Sequence, residues 1–305
     1  MHVLALTAGV ATAGLAWSTF VEPHAFALRR ATVPVLAAGS EPLRVLHLSD
    51  THMTPRQGHK QAWLRGLADL EPDLVVNTGD NLSHVDALPS VIRAYGDLLD
   101  LPGVFVFGSN DYYSPRLKNP VRYLTGGTGV ASNGAWMREK DLPFEAMRAN
   151  FTRRGWTDLS NQHGELEVAG RQVSFVGVDD PHLHFDELDD APADASADLA
   201  IGVTHAPYLR VLDRWNSLGY PLILAGHTHG GQLRVPFYGA LVTNCDLDRT
   251  RARGLHQHQV EYHPASWLHV SAGLGSSPVT PVRFACRPEA TLLTLTAVDS
   301  PGLPG

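Results

Sequence analysis

From Leu43 onward, short apolar runs alternate with longer stretches in which apolar residues recur every three or four positions. Leu43 to Leu48, Asp73 to Val76, Val104 to Phe107, Ala200 to Val203 and Leu222 to Ala225 are short and rich in Val, Leu and Ile, and they read as buried strands. Between them, Gln57 to Leu70 sets Trp63, Leu64, Leu67 and Leu70 on one helical face, and Leu88 to Leu99 behaves likewise. Gln162 to Val178, Trp267 to Ala272 and Ala290 to Val298 add further strands, the last closing the sheet system. This alternation predicts an α/β chain. Tyr113 to Lys140, with its Gly, Pro and Asn, is too long for a simple connection and reads as a lid or a surface insertion.

The amino-terminal stretch has a different texture. Val3 to Val21 carries no ionised side chain, about the length a helix needs to cross a bilayer. It is rich in Ala, Gly, Thr and Ser, and the first basic residues, Arg29 and Arg30, come after it. Residues 1–40 are therefore expected to form a hydrophobic anchor or signal-like segment with a linker, the alternative being a helix packed on the soluble domain. An anchor followed by arginines favours a cytoplasmic exit, whereas a cleaved signal exports the remainder, so a membrane-associated protein is expected with its side undecided. The domain is expected over 41–298 and a tail over 299–305.

Composition narrows the function classes. With 305 residues, 44% apolar and 18% charged, the chain can bury a large core, which excludes a disordered protein. The 24 Lys and Arg against 31 Asp and Glu leave a net charge of −7, so no nucleic-acid partner is expected. Cys245 and Cys286 lack metal-site spacing; two unpaired thiols are expected, a single bridge being the alternative. The 16 histidines are the anomaly, and their placement carries the chemistry.

Polar residues of one kind follow five of the apolar runs. Ser49-Asp50-Thr51-His52, Gly79-Asp80-Asn81, Gly108-Ser109-Asn110-Asp111, Thr204-His205 and Gly226-His227-Thr228-His229-Gly230 each stand where a strand ends. In open α/β sheets the ligand crevice lies outside the carboxyl ends of the strands, so five such endings can converge. Asp50 and His52, like His227 and His229, alternate by two and project to the same side of extended backbone. A carboxylate such as Asp80 has two oxygens and can bridge two cations held about 3.5–4 Å apart. Mixed carboxylate and imidazole ligands suit zinc, iron or manganese.

The series Asp50-x-His52, Gly79-Asp80, an Asn-containing turn at 108–111, His205 and Gly-His-Thr-His-Gly-Gly-Gln at 226–232 resembles the calcineurin-like metallophosphoesterase superfamily, in the form seen in its bacterial membrane-linked branch. The resemblance covers roughly Leu43 to Val298. It implies a four-layer α/β/β/α fold, two packed mixed β-sheets flanked by helices, with a dinuclear metal site at the strand ends. It further implies that Asp50, His52, Asp80 and His229 hold one metal and that Asp80, Asn110, His205 and His227 hold the other. The implied cofactors are two divalent or trivalent transition-metal ions, Mn, Fe or Zn.

The third motif departs from the family pattern, which reads Gly-Asn-His followed by an acid. Matching glycines puts Ser109 in the ligand position; counting from Val104 puts Asn110 there and Asp111 in place of the catalytic histidine. The second register is preferred because an amide carbonyl is a serviceable ligand oxygen. The catalytic part then falls to Asp111 kept protonated by burial, unless the substrate has a good leaving group or an acid is borrowed from elsewhere. Asn81 and His84, with Asp179, Asp180, His182 and His184, follow strands and are expected at the rim, the first two as substrate contacts. Tyr112, Tyr113 and Lys118 are candidates for substrate contacts from the lid or for plain scaffold. The expected reaction is hydrolysis of a small-molecule or lipid phosphomono- or phosphodiester by a metal-bridging hydroxide. The competing class is a catalytically weak metal-binding scaffold or interaction protein on the same fold.

Overall fold

The computed structural model describes residues 12–116 and 139–298. Two six-stranded mixed sheets carry the architecture. The first has the order β1 (Ala27–Leu36), β14 (Glu289–Ala297), β2 (Leu43–Leu48), β3 (Leu74–Asn77), β4 (Gly103–Phe105) and β5 (Thr157–Asp158). The second runs β12 (Gly254–His258), β13 (Ser266–Val270), β9 (Leu222–Ala225), β8 (Leu199–Val203), β7 (Arg171–Gly177) and β6 (Gln162–Val168). In the first sheet β2 to β5 are parallel, and in the second β13, β9, β8 and β7 are parallel, so each has a parallel centre with antiparallel partners beside it. The run Gln162 to Val178 is in fact the β6–β7 hairpin, closed at Ala169-Gly170.

Strict alternation of side chains decides which layer each residue joins. Val45, Val76 and Leu293 of the first sheet meet Val173, Ile201, Leu222 and Leu224 of the second in one buried cluster between the sheets. Their neighbours Leu46, Val75 and Leu292 point the other way, toward α1 (Gly58–Arg65), α2 (Leu88–Tyr95) and, after the single turn α3 (Ser109–Tyr112), α4 (Phe144–Arg153), which supply Leu64, Val91, Tyr95, Met147 and Phe151. On the far side, Ile223 and Val270 pack under α5 (Leu209–Ser217) through Val211, Leu212 and Trp215. The result is four layers, α/β/β/α, as expected. Strands buried on both faces cannot show polar alternation, which is why they read as continuous apolar runs.

One boundary moves. Residues 27–36, expected in a linker, form the edge strand β1, parallel to β14 from Ala27↔Glu289 to Val33↔Leu295. Pro34 and the exposed Arg29 and Arg30 disguise it as non-strand; an edge strand tolerates a proline because one side of its backbone faces no partner. Val33 and Leu36 nevertheless lie in the inter-sheet core. Residues 12–24 are helical turns lying against the 283–286 segment, through Ser18 accepting from Arg283 N–H and Glu22 accepting from the amides of Ala285 and Cys286. Among the described residues no helix is long and apolar enough to cross a membrane. Residues 1–11, most of the expected insertion including Lys118, and the tail at 299–305 lie outside the described residues. Cys245 and Cys286 are buried free thiols, so the single-bridge alternative falls.

The Leu36 side chain tests whether β1 is structural. Leu36→Ala is expected to lower the unfolding free energy by about 2–4 kcal/mol in urea titrations, the cost of a large-to-small core substitution. A change within error of zero would return the segment to the status of a linker.

Candidate metal centre

Every expected ligand stands where the chain leaves a parallel strand. Asp50 and His52 follow β2, Asp80 follows β3, Asn110 lies in α3 after β4, His205 follows β8, and His227 and His229 follow β9. The turns are sharp: Asp50, His52, Asp80, His227 and His229 have positive φ between 42° and 69°. Each such residue costs about 1–3 kcal/mol and persists only where its surroundings over-determine it. Here the surroundings are backbone bonds between neighbouring loops, with Asp50 N–H donating to Gly79 O at 2.8 Å and His52 N–H donating to Asp80 O at 3.0 Å. His227 N–H donates to Asp50 Oδ2 at 3.0 Å, tying the last loop to the first.

The side chains of Asp50, His52, Asp80 and His229 bring one ligand atom each to within 4.8 Å of one another. His52 Nε2 lies 3.2 Å from His229 Nε2 and 3.5 Å from Asp80 Oδ2, and His229 Nε2 lies 3.5 Å from Asp50 Oδ1. Asp50 Oδ1 is buried and has no hydrogen-bond donor, whereas Oδ2 accepts from Ser49 Oγ and His227 N–H. An orphaned carboxylate oxygen facing an imidazole nitrogen, His229 Nε2, is what a cation site requires and what a plain polar core avoids. The tautomers agree. His229 Nδ1 faces the Gly275 carbonyl at 3.0 Å, which can only accept, so its proton sits there and Nε2 presents a lone pair inward.

A second group abuts the first across Asp80. Asp80 Oδ1 lies 3.6 Å from His205 Nε2, and His205 Nε2 lies 3.3 Å from His227 Nδ1. His205 Nδ1 donates to the Thr78 carbonyl at 2.7 Å, again leaving Nε2 facing inward. Asn110 meets the same carboxylate, its backbone N–H donating to Asp80 Oδ1 and its amide to Oδ2, each at 2.7 Å. Asp80 thus turns one oxygen toward His52 and the other toward His205. Glycine keeps the floor open: a Cβ on Gly108 would stand 2.6 Å from His205 Cε1, and one on Gly226 would stand 2.7 Å from Asp50 Oδ2.

Burial dominates the electrostatics. It pushes the Asp50 carboxyl up to about 6, partly offset by His205. It also acts on Asp80, but His205, His52 and the two bonds from Asn110 outweigh it and hold that carboxyl below its ordinary value. Burial lowers His52 to about 4 and holds His227 and His229 well below the usual histidine range, so these rings are neutral and free to ligate. Behind them, the fully buried Arg283 donates to the carbonyls of Ala272, Gly273 and Gly275 and fixes the loop that orients His229.

A family model described as calcineurin-like phosphoesterase matches residues 43–231. The chain belongs to that family. Two relatives match along most of their length. The uncharacterized metallophosphoesterase YkoQ of Bacillus subtilis is 27% identical over 254 residues, 82% of each chain. The phosphodiesterase YaeI of Escherichia coli is 27% identical over 300 residues, covering 95% of this chain and 96% of its own. Among solved structures, the purple acid phosphatase PPD1 of yellow lupin aligns with TM-score 0.43 and 11% identity, over 88% of this chain and 58% of that one.

In this calcineurin-like phosphoesterase Asp111, Asn81 and His84, expected in catalysis and substrate binding, have unlike surroundings. Asp111 is fully buried, and its oxygens accept from the backbone amides of Asp80, Asn81, Leu82 and Gly108 at 2.7–3.3 Å. Burial and the Asp80 charge push its carboxyl up, while the amides of Gly108 and Asn81 pull it down. It frames the Asp80 turn. Asn81, expected to bind substrate, is buried and committed: its Oδ1 accepts from Asn77 Nδ2 at 2.9 Å and from Tyr95 OH at 2.6 Å. His84 is exposed on a turn, where its Nδ1 accepts from Asp86 N–H at 3.1 Å. Of the rim and lid residues, Tyr112 is buried with its hydroxyl on Asp179, and His182 lies with its ring 4.6 Å from that of His227. Ser49, Ser83, whose Oγ lies 3.0 Å from His52 Nδ1, Thr78 and Gly275 were not anticipated. Two act through backbone carbonyls, which leave no trace in a sequence.

Two measurements test the site. Asn110→Ala is expected to lower bound transition metal by elemental analysis, with Ser109→Ala at wild-type content; the reverse would move the ligand register by one residue. Chelation is expected to lower the melting temperature reversibly, since a ligand at a thousand times its Kd stabilises by about 4 kcal/mol. An unchanged melting temperature would mean that Asp50 and Asp80 do not depend on a cation.

Proposed function

We propose that this chain hydrolyses phosphomono- or phosphodiesters of small molecules or lipids at a pair of divalent or trivalent transition-metal ions, Mn, Fe or Zn. The observation that carries the reading is Asp80, whose two oxygens face His52 and His205 on opposite sides. On this reading Asp50, His52, Asp80 and His229 hold one ion and Asp80, Asn110, His205 and His227 the other. When bound, such ions supply Lewis acidity and ionise water near neutral pH. The protein contributes the rest: imidazoles aimed by their outer hydrogen bonds, one shared carboxylate, and loops held rigid by backbone bonds.

The third motif shapes the substrate preference. With Asn110 and Asp111 standing where the family pattern has a histidine and its neighbour, that turn offers no proton donor to the leaving oxygen. Asp111 is spent on four backbone amides. Esters whose leaving group departs as a stable anion therefore react fastest. The name of the phosphodiesterase relative supports including diesters. The missing histidine also favours a second reading, a metal-holding scaffold of low turnover.

An assay separates the two. Metal-restored protein is expected to hydrolyse aryl phosphate mono- or diesters, with kcat/KM falling steeply as the leaving-group pKa rises. Asp80→Asn is expected to cost at least about a hundredfold. No hydrolysis at two metal equivalents per chain would leave the scaffold reading.

A further inference from the structure

The metal-ligand loop does not end at His229. It runs straight into a small hairpin, β10 (Arg234–Val235) and β11 (Gly239–Ala240), joined by Pro236-Phe237-Tyr238. Phe237 at its tip is fully exposed, at 112% relative accessibility, with φ at +67°, and Val235 and Tyr238 beside it are exposed as well. The hairpin leans on the 283–286 segment, Arg234 N–H donating to Phe284 O at 2.9 Å and Phe284 N–H to Gln232 O at 3.0 Å. That segment in turn holds the helical turns at 15–24, whose Trp17 and Phe20 are also exposed. Nine of the thirteen exposed large apolar side chains among the described residues fall in these three connected segments, at 15–24, 234–241 and 283–286. An apolar surface gathered in this way marks an interaction site.

Its charge identifies the partner. Residues 12–36, 228–258 and 276–288 carry four exposed arginines, Arg29, Arg30, Arg249 and Arg287, against two exposed acids, Asp246 and Asp248, in a chain whose net charge is −7. Glu22 is buried, and exposed Arg249 lies 4.1 Å from the Tyr238 ring. Exposed aromatics interleaved with arginine suit an interface that is apolar inside and anionic at its surface. The part of the uncharged run that the structure describes, residues 12–21, belongs to this same face. We propose that the face formed by the 234–241 hairpin, the 283–286 segment and residues 15–24 docks the protein on an anionic lipid bilayer, with Phe237 and Trp17 in the acyl boundary and Arg249 among the headgroup phosphates. The proposal stands apart from the phosphoester reading, because it concerns where the centre is held and not what it cleaves.

Co-sedimentation of the full metal-loaded chain with vesicles tests it. Binding is expected to vesicles containing phosphatidylglycerol, at least about tenfold weaker to pure phosphatidylcholine, and weakened by salt. Phe237→Asp suits the left-handed tip without disturbing the fold and is expected to weaken binding about tenfold, as is Arg249→Glu, with hydrolysis of a soluble aryl phosphoester unchanged. Absence of vesicle binding overturns the proposal. So does F237D binding as tightly as wild type, which would assign attachment to residues 3–21 alone, or a dimer that F237D dissolves, which would make a second copy the occupant. Vesicle binding without any hydrolysis would leave the docking face standing and remove the phosphoester reading instead.

Discussion

Two carboxylates, Asp50 and Asp80, are taken fully out of water at the meeting point of five loops, and their charge must be answered. Burying a carboxylate costs several kcal/mol, and of the nearest imidazoles burial keeps His52, His227 and His229 neutral, whereas His205, which burial lowers but Asp80, Asp180 and Asp50 raise, ends at about 9 and answers part of that charge. The balance closes through cations, and the surrounding structure serves that end. The parallel centres of both sheets deliver their carboxyl ends to one place. Ligand residues accept left-handed backbone so that their side chains turn inward. Carbonyls of Thr78 and Gly275 take the outer ring protons of His205 and His229.

Asp111 illustrates how a residue beside the chemistry acts through others. One carboxylate collects the amides of Asp80, Asn81, Leu82 and Gly108, and so binds the turn after β3 to the turn after β4. The Asn77–Asn81–Tyr95 network braces the same turn from behind. Position in the loop, which these residues share with true ligands, is not enough to give a side chain access to the pocket.

The buried strands and the residues at their ends were legible because both have a strong local signature: an apolar run, then Asp or His beside Gly. The family resemblance read from them is matched by the family model over residues 43–231. β1 was not legible, since its partner β14 is some 260 positions away and Pro34 masks it. Asn81 and His84 differ in a way that sequence position does not show. Sequence position put both near the centre, but only packing reveals that Asn81 is consumed by Tyr95 and that His84 points outward on its turn.

The place of β14 has a further consequence, for the order in which the molecule is made. This strand is the last in the chain, yet it lies between β1 and β2, two of the first. Until it emerges from the ribosome, the opening strands have no bridge between them and the apolar edge of β2 stays uncovered. The first sheet is therefore completed only after every strand of the second has been made, and until then its opening strands are exposed to wrong pairing.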